Sequence, residues 1–384
     1  MVGIVLLGVF VVLLVFGAPI AVCLGMSSVG AILTQGAGKP LDAIMSVLPR
    51  LCSSASSKFV LLAIPFFILS GNVMEKAGIS GRLINLAEKC LGHIRGGMAM
   101  VCVVSCFFAA ISGSGPATVA ALGLIMIPAL VKAGYPAAFS CALMAAGGAI
   151  GVVIPPSITF VVYGSIADAS ITDLFKAGVI PGLLMGAGLI VAALVVGRKM
   201  DLKVLPKATG KERWKAFKDA FWGLLMPVII LGGIYSGLLT ATESSAIAVV
   251  WSFIAGMFIY RELKWSDLFD IFVDSAKSSA MTLFIIATST AFAWLFAYAG
   301  ISTQLVDFVV GMHLSATMYC LVVAVILLIF GTFLEGIATA VLLVPVLWPV
   351  AQALGVNVIH FGMIVSIANV VGTMTPPVAV NIFS

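Results

Sequence analysis

The sequence predicts an all-α polytopic membrane protein assembled from two inverted-topology repeats, each holding a re-entrant helical hairpin and a broken transmembrane helix. Three observations lead there. The first is composition: 62% of the 384 residues are hydrophobic and 9% are charged, with a mean hydropathy of +1.24. The apolar runs are long enough to cross a hydrocarbon layer about 30 Å thick, and they lack the alternation of a membrane barrel. The second is internal repetition at an offset of 221 positions, which superimposes Gly115/Gly336, Thr118/Thr339, Pro128/Pro349, Gly134/Gly355, Gly151/Gly372 and Pro155-Pro156/Pro376-Pro377. Ala77-Gly78-Ile79-Ser80 recurs one register away, at Ala299-Gly300-Ile301-Ser302. The third is charge placement, which decides the orientation of the copies.

Spans are expected at about 4–20, 22–38, 59–75, 137–167 and 174–197, then at about 219–238, 242–260, 279–298 and 359–384. The first apolar run lacks a basic n-region and is about twice too long for a signal peptide, so it reads as mature membrane structure. Eight of the twenty Lys and Arg crowd into 198–218, the long polar stretch. An excess of basic residues marks cytoplasmic loops, so this linker faces the cytoplasm and the N-terminus faces outward. With that orientation sixteen basic residues lie inside and four, Lys39, Arg50, Lys58 and Lys176, lie outside. Five crossings precede the linker, and an odd number inverts the second copy. The first repeat is therefore 1–197 and the second 219–384.

The stretches 98–131 and 318–352 are apolar but cut in the middle, by Ser112-Gly113-Ser114-Gly115-Pro116 and by Leu334-Glu335-Gly336-Ile337. Each arm of roughly fourteen residues reaches about 21 Å, short of a crossing. Arg95 and Lys132 flank the first stretch, placing both its ends on the cytoplasmic face, as in a re-entrant hairpin. One long helix kinked at Gly-Pro is the alternative; the matching cut in the second copy favours the hairpin. The segment 137–167 can cross, but Gly151-Val152-Val153-Ile154-Pro155-Pro156 interrupts it. Proline supplies no N–H and pushes the preceding residue out of the helical region, so this helix breaks near mid-membrane. Backbone opened at that depth must face a ligand, an ion, water or other protein.

Duplicated breaks of this kind point to a transporter binding site. An opened helix offers carbonyls to a cation and amides to an anion. Small hydroxyl residues gather at the breaks: Ser112, Ser114, Thr118 and Ser157, then Thr332, Thr339, Thr373 and Thr375. Neutral oxygens on a glycine-allowed backbone suit Na⁺, although Ser and Thr also join membrane helices by ordinary hydrogen bonds. Glu335 is an acid within an apolar stretch, hence an ion-site or proton-relay candidate, or a tip in a watery vestibule. Glu243 resembles a helix N-terminal acid. Asn72, Asn369 and Asn381 read as residues that orient helices. The seven cysteines form no zinc pattern and read as small packing residues. The charge of +5 belongs to membrane topology rather than to nucleic-acid binding. No GxxxxGK[ST], HExxH or GxSxG occurs, which argues against ATP-driven transport by the chain itself and against two common membrane hydrolase chemistries.

At this point the chain resembles the large membrane subunit of the tripartite ATP-independent periplasmic (TRAP) transporters. The matching stretches are Leu62-Ala63-Ile64-Pro65-Phe66-Phe67-Ile68-Leu69-Ser70-Gly71-Asn72-Val73-Met74, Ser112 to Thr118, Ile154-Pro155-Pro156-Ser157, Leu174 to Gly182, Gly237 to Glu243 and Gly372-Thr373-Met374-Thr375-Pro376-Pro377-Val378. The resemblance implies an elevator-type secondary transporter of the bacterial inner membrane, coupled to Na⁺ and not an enzyme. It implies a small four-helix membrane subunit and a periplasmic binding protein that delivers a small organic acid, a C4-dicarboxylate, sialic acid or a related carboxylate. Carried over by residue, one Na⁺ site takes Ser112, Gly113, Ser114, Gly151, Val152 and Pro155. A second takes Thr332, Glu335, Gly336, Gly372, Thr373, Met374 and Pro376. The substrate falls to Gly115, Thr118, Pro156, Ser157, Thr339, Thr375 and Pro377. The scaffold would be 1–57 with 219–277, the transport part 59–168 with 279–384, and 80–93 and 302–312 interfacial arms.

Two departures stand out. Family members often carry proline in the second tip, where this chain has Gly336-Ile337. The first copy continues through a further span after its Pro-Pro, whereas the second stops at Ser384, so the expectation is a truncated chain lacking about one transmembrane helix. An ion channel, which also uses broken helices but needs a continuous pore, is the alternative class.

Overall fold

In the computed structural model the described residues are 2–35, 45–94, 96–106, 108–109, 115–200, 202–376 and 381–382, and every regular element among them is helical. Among the described residues seven helices are long and apolar enough to cross a membrane, including Phe59–Lys76, Ile171–Gly197 and Trp265–Tyr298. The chain opens with α1 (Val2–Val15) and α2 (Ile20–Gln35), which pack along each other. Gly17, at φ +77°, makes the turn between them, a backbone that L side chains avoid.

Helix α3 (Val47–Ser56) is followed by a 3₁₀ turn, Phe59–Leu62, and by α4 (Ala63–Lys76). Then come α5 (Ile79–Leu91), α6 (Gly97–Cys106) and α7 (Gly115–Lys132). Next are α8 (Ala137–Gly151), α9 (Ile158–Ala167) and α10 (Ile171–Gly197). After the polar stretch, α11 (Gly210–Tyr235) and α12 (Ala241–Phe253) form a hairpin, and a π turn at Ile254–Ile259 extends α12. The chain continues through α13 (Trp265–Tyr298), α14 (Ile301–Gly311), α15 (Ala316–Gly331), α16 (Gly336–Ala353) and α17 (Val358–Thr373).

Several boundaries differ from the sequence reading, each for a local reason. Helix α11 starts inside the stretch expected to be a linker at 198–218. Thr209 caps it there: Glu212 N–H donates to Thr209 Oγ1 at 3.3 Å, and Thr209 N–H donates to Glu212 Oε2 at 2.7 Å. This reciprocal box satisfies two otherwise orphaned donors. Thr240 and Glu243 make the same box at the start of α12, at 3.2 and 2.8 Å; Glu243 is thus the helix-start acid its sequence context suggests. The second arms α7 and α16 hold 18 residues each, longer than the roughly fourteen expected. Helix α7 begins at once on Gly115-Pro116, where a proline costs no helical hydrogen bond. Helix α13 runs unbroken for 34 residues, straight through the scaffold boundary expected at 277–279. In the first half the matching stretch is divided between α3 and α4 by the turn at Ser57–Leu62.

Helices α6 and α7 pack on each other and on α8, and α15 and α16 pack on each other and on α17. Glycines set both contacts. A Cβ at Gly151 would collide with Cys106 O and Ala109 Cβ; one at Gly372 would stand 2.8 Å from Gly331 Cα and 3.0 Å from Leu328 O. Helix α9 is buried on nearly every side and packs against α16, as expected of a helix apolar all round. Its Tyr163 hydroxyl donates to Val358 O at 2.7 Å. The turn before α5 uses Gly78 at φ +68° and the turn before α14 uses Gly300 at φ +72°. On α5, Arg82 pairs with Glu262 and lies 4.0 Å over the Tyr260 ring, fastening α5 to the end of α12. All seven cysteines are free.

Candidate functional site

Helix α8 stops at Gly151 and α9 starts at Ile158. Between them Pro155 and Pro156 interrupt the backbone, joined by a cis peptide. Helix α17 stops at Thr373, and Asn381 folds back so that its N–H donates to Thr373 O at 3.3 Å. Beside these two ends lie the starts of α7 and α16. Together they enclose a cavity of about 350 Å³.

Its walls include Gly115 and Thr118 on α7, Val152 after α8, Glu335 and Gly336 at α16, and Thr373 on α17. Candidates from both Na⁺ sets and the substrate set thus share one space. Glu335 occupies the N-cap position of α16 with no capping bond, and is half-buried on the cavity wall. The positive ends of the α7 and α16 dipoles meet the cavity at Gly115 and Gly336, an arrangement that favours an anion.

Other candidates stand off the cavity wall. Thr339 is buried and its hydroxyl donates to Glu335 O at 3.1 Å, while the Thr332 and Thr375 hydroxyls donate to Ile329 O and Val371 O at 2.8 and 2.7 Å, as the hydroxyl of Thr373, on the wall itself, does to Val370 O at 2.8 Å. Gly151 and Gly372 act as contact points for the first hairpin arms. Pro155, Pro156 and Ser157 are buried, Met374 is half-buried, and Thr375 and Pro376 are exposed. Ser157 Oγ has no hydrogen-bond partner. Ser112, Gly113, Ser114 and Pro377 lie outside the described residues.

The sequence reading missed part of the wall. Ser366 and Asn369 on α17 and Asn381 beyond it line the cavity with at most 2% exposure. Ser366 Oγ, Asn369 Oδ1 and Asn381 Oδ1 have no hydrogen-bond partner. Buried acceptors left unpaired are uncommon in proteins and call for a water, an ion or a ligand. Asn369 Nδ2 donates to Gly336 O, and Asn381 Nδ2 donates to Thr373 Oγ1 at 3.4 Å. The signal was present: Ser366, Asn369 and Thr373 stand at i, i+3 and i+7, one face of a helix that is otherwise apolar after His360 in its first turn. Asn72, whose amide donates to Ser275 Oγ at 2.8 Å, and the exposed Glu75 and Lys277 complete the polar wall toward one end of the fold.

The chain matches the model of the tripartite ATP-independent periplasmic transporter, DctM component, over residues 7–384. It belongs to the DctM family. It is 42% identical over 381 residues to the isethionate TRAP transporter permease protein DctMQ of Oleidesulfovibrio alaskensis, a match that covers 99% of this chain and 59% of that protein. To the C4-dicarboxylate TRAP transporter large permease protein DctM of Pseudomonas aeruginosa it is 43% identical, over 89% of this chain and 80% of that one. To the 2,3-diketo-L-gulonate large permease YiaN of Escherichia coli it is 34% identical, over 87% and 79%. The chain thus spans little more than half the length of the isethionate relative. DctM proteins are transport permeases and not enzymes. Among solved structures the YdaH transporter of Alcanivorax borkumensis shares the fold, with a TM-score of 0.60 at 15% identity over 89% of this chain and 80% of that one.

Proposed function

We propose that this DctM-family chain is the membrane permease of a Na⁺-coupled importer for a small organic acid, and that it works by an elevator movement of two inverted repeats. The observation that carries the reading is the cavity of about 350 Å³ built from both second-arm starts and both broken helices. Two helix N-termini supply positive potential for an anion. The unpaired oxygens of Ser366, Asn369 and Asn381 and the Glu335 carboxylate are the hard donors that a partly dehydrated Na⁺ takes. Lys277, the one basic residue on the wall among the described residues, stands at the cavity's mouth.

The repeat finds support in paired contacts. Gly151 meets Cys106 and Ala109 while Gly372 meets Leu328 and Gly331, and the two sets differ by 221 or 222 positions throughout. The relatives' names speak of isethionate, C4-dicarboxylate and 2,3-diketo-L-gulonate, all small organic acids. We extend that class, a four-helix membrane subunit, a periplasmic binding protein and an inner-membrane location to this chain. The excess of basic residues at 198–218 supports a cytoplasmic position for the Glu75 and Lys277 end of the fold, and with it a cavity that opens inward. The test is uptake of labelled succinate, isethionate and 2,3-diketogulonate into proteoliposomes that hold the permease and its membrane partner. Saturable uptake that needs an inward Na⁺ gradient and a binding protein is expected. Uptake that persists without the binding protein and does not saturate would point to a channel and overturn the proposal.

A further inference from the structure

A second cavity, of about 290 Å³, lies toward the other end of the Phe59–Lys76 span, between α3, α9, α13 and α16. Lys58 is the one charged residue on its wall among the described residues. Its Nζ donates to Ser165 O at 2.6 Å, in the last turn of α9, where helix carbonyls attract a cation. That bond occupies one of three ammonium donors. The ion pairs among the described residues are Arg82–Glu262 and Asp274–Lys277, neither of which uses Lys58. The Ser289 and Thr290 hydroxyls both donate to Ile286 O at 2.9 Å, which leaves the ammonium to attract a charged guest. Ala55, Ile166, Ala293 and Trp348 form an apolar remainder. A guest with one anionic end and a short carbon body fits such walls. Lys58 and Ser165 also border an outer groove of about 950 Å³ that includes Lys176 and the carboxylates of Asp168 and Glu243, so the cavity is reached past Lys58 from solvent and Lys58 is the cation shared by groove and cavity.

We propose that Lys58 and this cavity form a receiving subsite for small carboxylates and sulfonates, occupied on the outer face before the central cavity. It rests on the importer reading and on the outward placement of Lys58. The experiment uses the full-length permease with its partner subunits in intact cells, carrying Thr290→Cys and, to remove the native thiol on α3, Cys52→Ser. The probes are two membrane-impermeant methanethiosulfonates, one ending in a sulfonate and one in a trimethylammonium. The ratio of anionic to cationic labelling rates is expected to fall about fivefold in Lys58→Gln, the scale of losing one nearby charge, and to hold in Lys58→Arg. An unchanged ratio, or a Thr290→Cys thiol that neither probe reaches, overturns the subsite. In uptake assays Lys58→Gln is expected to raise KM about fivefold, on the same charge argument, at unchanged maximal rate; an unchanged KM overturns its place on the import route. A wild type that takes up no organic acid yet shows the charge-dependent ratio overturns the importer reading and leaves the anion subsite standing.

Discussion

Asn369 holds two positions at once. Its Nδ2 clamps α17 to the first carbonyl of α16 at Gly336, while its Oδ1 stays buried and unpaired at the cavity. Asn369→Leu removes the donor to that carbonyl, a cost of about 1–3 kcal/mol, and the melting temperature of the purified permease is expected to fall together with uptake. An unaltered melting curve would remove Asn369 as a clamp. Glu335 tests the ion side of the same wall. If its carboxylate helps to hold Na⁺, Glu335→Gln raises the Na⁺ concentration for half-maximal uptake by roughly tenfold, the loss of about 1.4 kcal/mol of charge-assisted binding; an unmoved Na⁺ dependence takes Glu335 out of the site. Glu335 was legible in the sequence because an acid in an apolar stretch is conspicuous. For Asn369 the spacing with Ser366 and Thr373 marks a polar helix face, but neither it nor Asn381 could be assigned to the cavity, because a buried amide that orients a helix and one that faces a ligand look alike until the fold shows which atoms lack partners.

At the scale of elements, both breaks rest on glycine contacts, to which the second adds the polar bonds of Asn369 and Asn381. Gly372→Ala drives a methyl into the Gly331 backbone, overpacking that costs about 1–3 kcal/mol, and Gly151→Ala meets Cys106 O and Ala109 in the same way. Both are expected to lower the melting temperature and abolish uptake, whereas Gly8→Ala on α1, with nothing within 4 Å of the added carbon, leaves both intact. Equal behaviour of the three variants would show that these contacts do not hold the breaks. The interruptions themselves could be read from Gly151, Pro155 and Pro156, since glycine and proline act through local backbone chemistry. Helix lengths were harder. The start of α11 depends on Thr209 reaching Glu212, and the continuity of α13 depends on the polar residues near Asp267, Asp270 and Asp274 staying helical, which hydropathy alone reads as loop.

At the scale of the whole molecule, the proposed orientation rests on the basic residues. If α11 enters the membrane from the cytoplasm, an impermeant thiol reagent applied to intact cells is expected to label Leu238→Cys, in the exposed turn between α11 and α12, and to spare Trp214→Cys near the start of α11. Labelling of Trp214→Cys alone would reverse the orientation. The charge count legible in the sequence carries this prediction, because a loop's side of the membrane is an electrostatic matter that needs no tertiary structure; the way the halves grip each other is not so encoded. The unbroken α13 is the instance. At 1.5 Å per residue its 34 residues reach about 51 Å, whereas the first half is interrupted at Ser57–Leu62. The membrane body therefore has a continuous helix on one side and an interrupted one on the other. On the proposed elevator reading, a displacement of the part beyond 279 against the part before 277 would have to carry or flex the continuous helix, and the first half would bend at the turn next to Lys58.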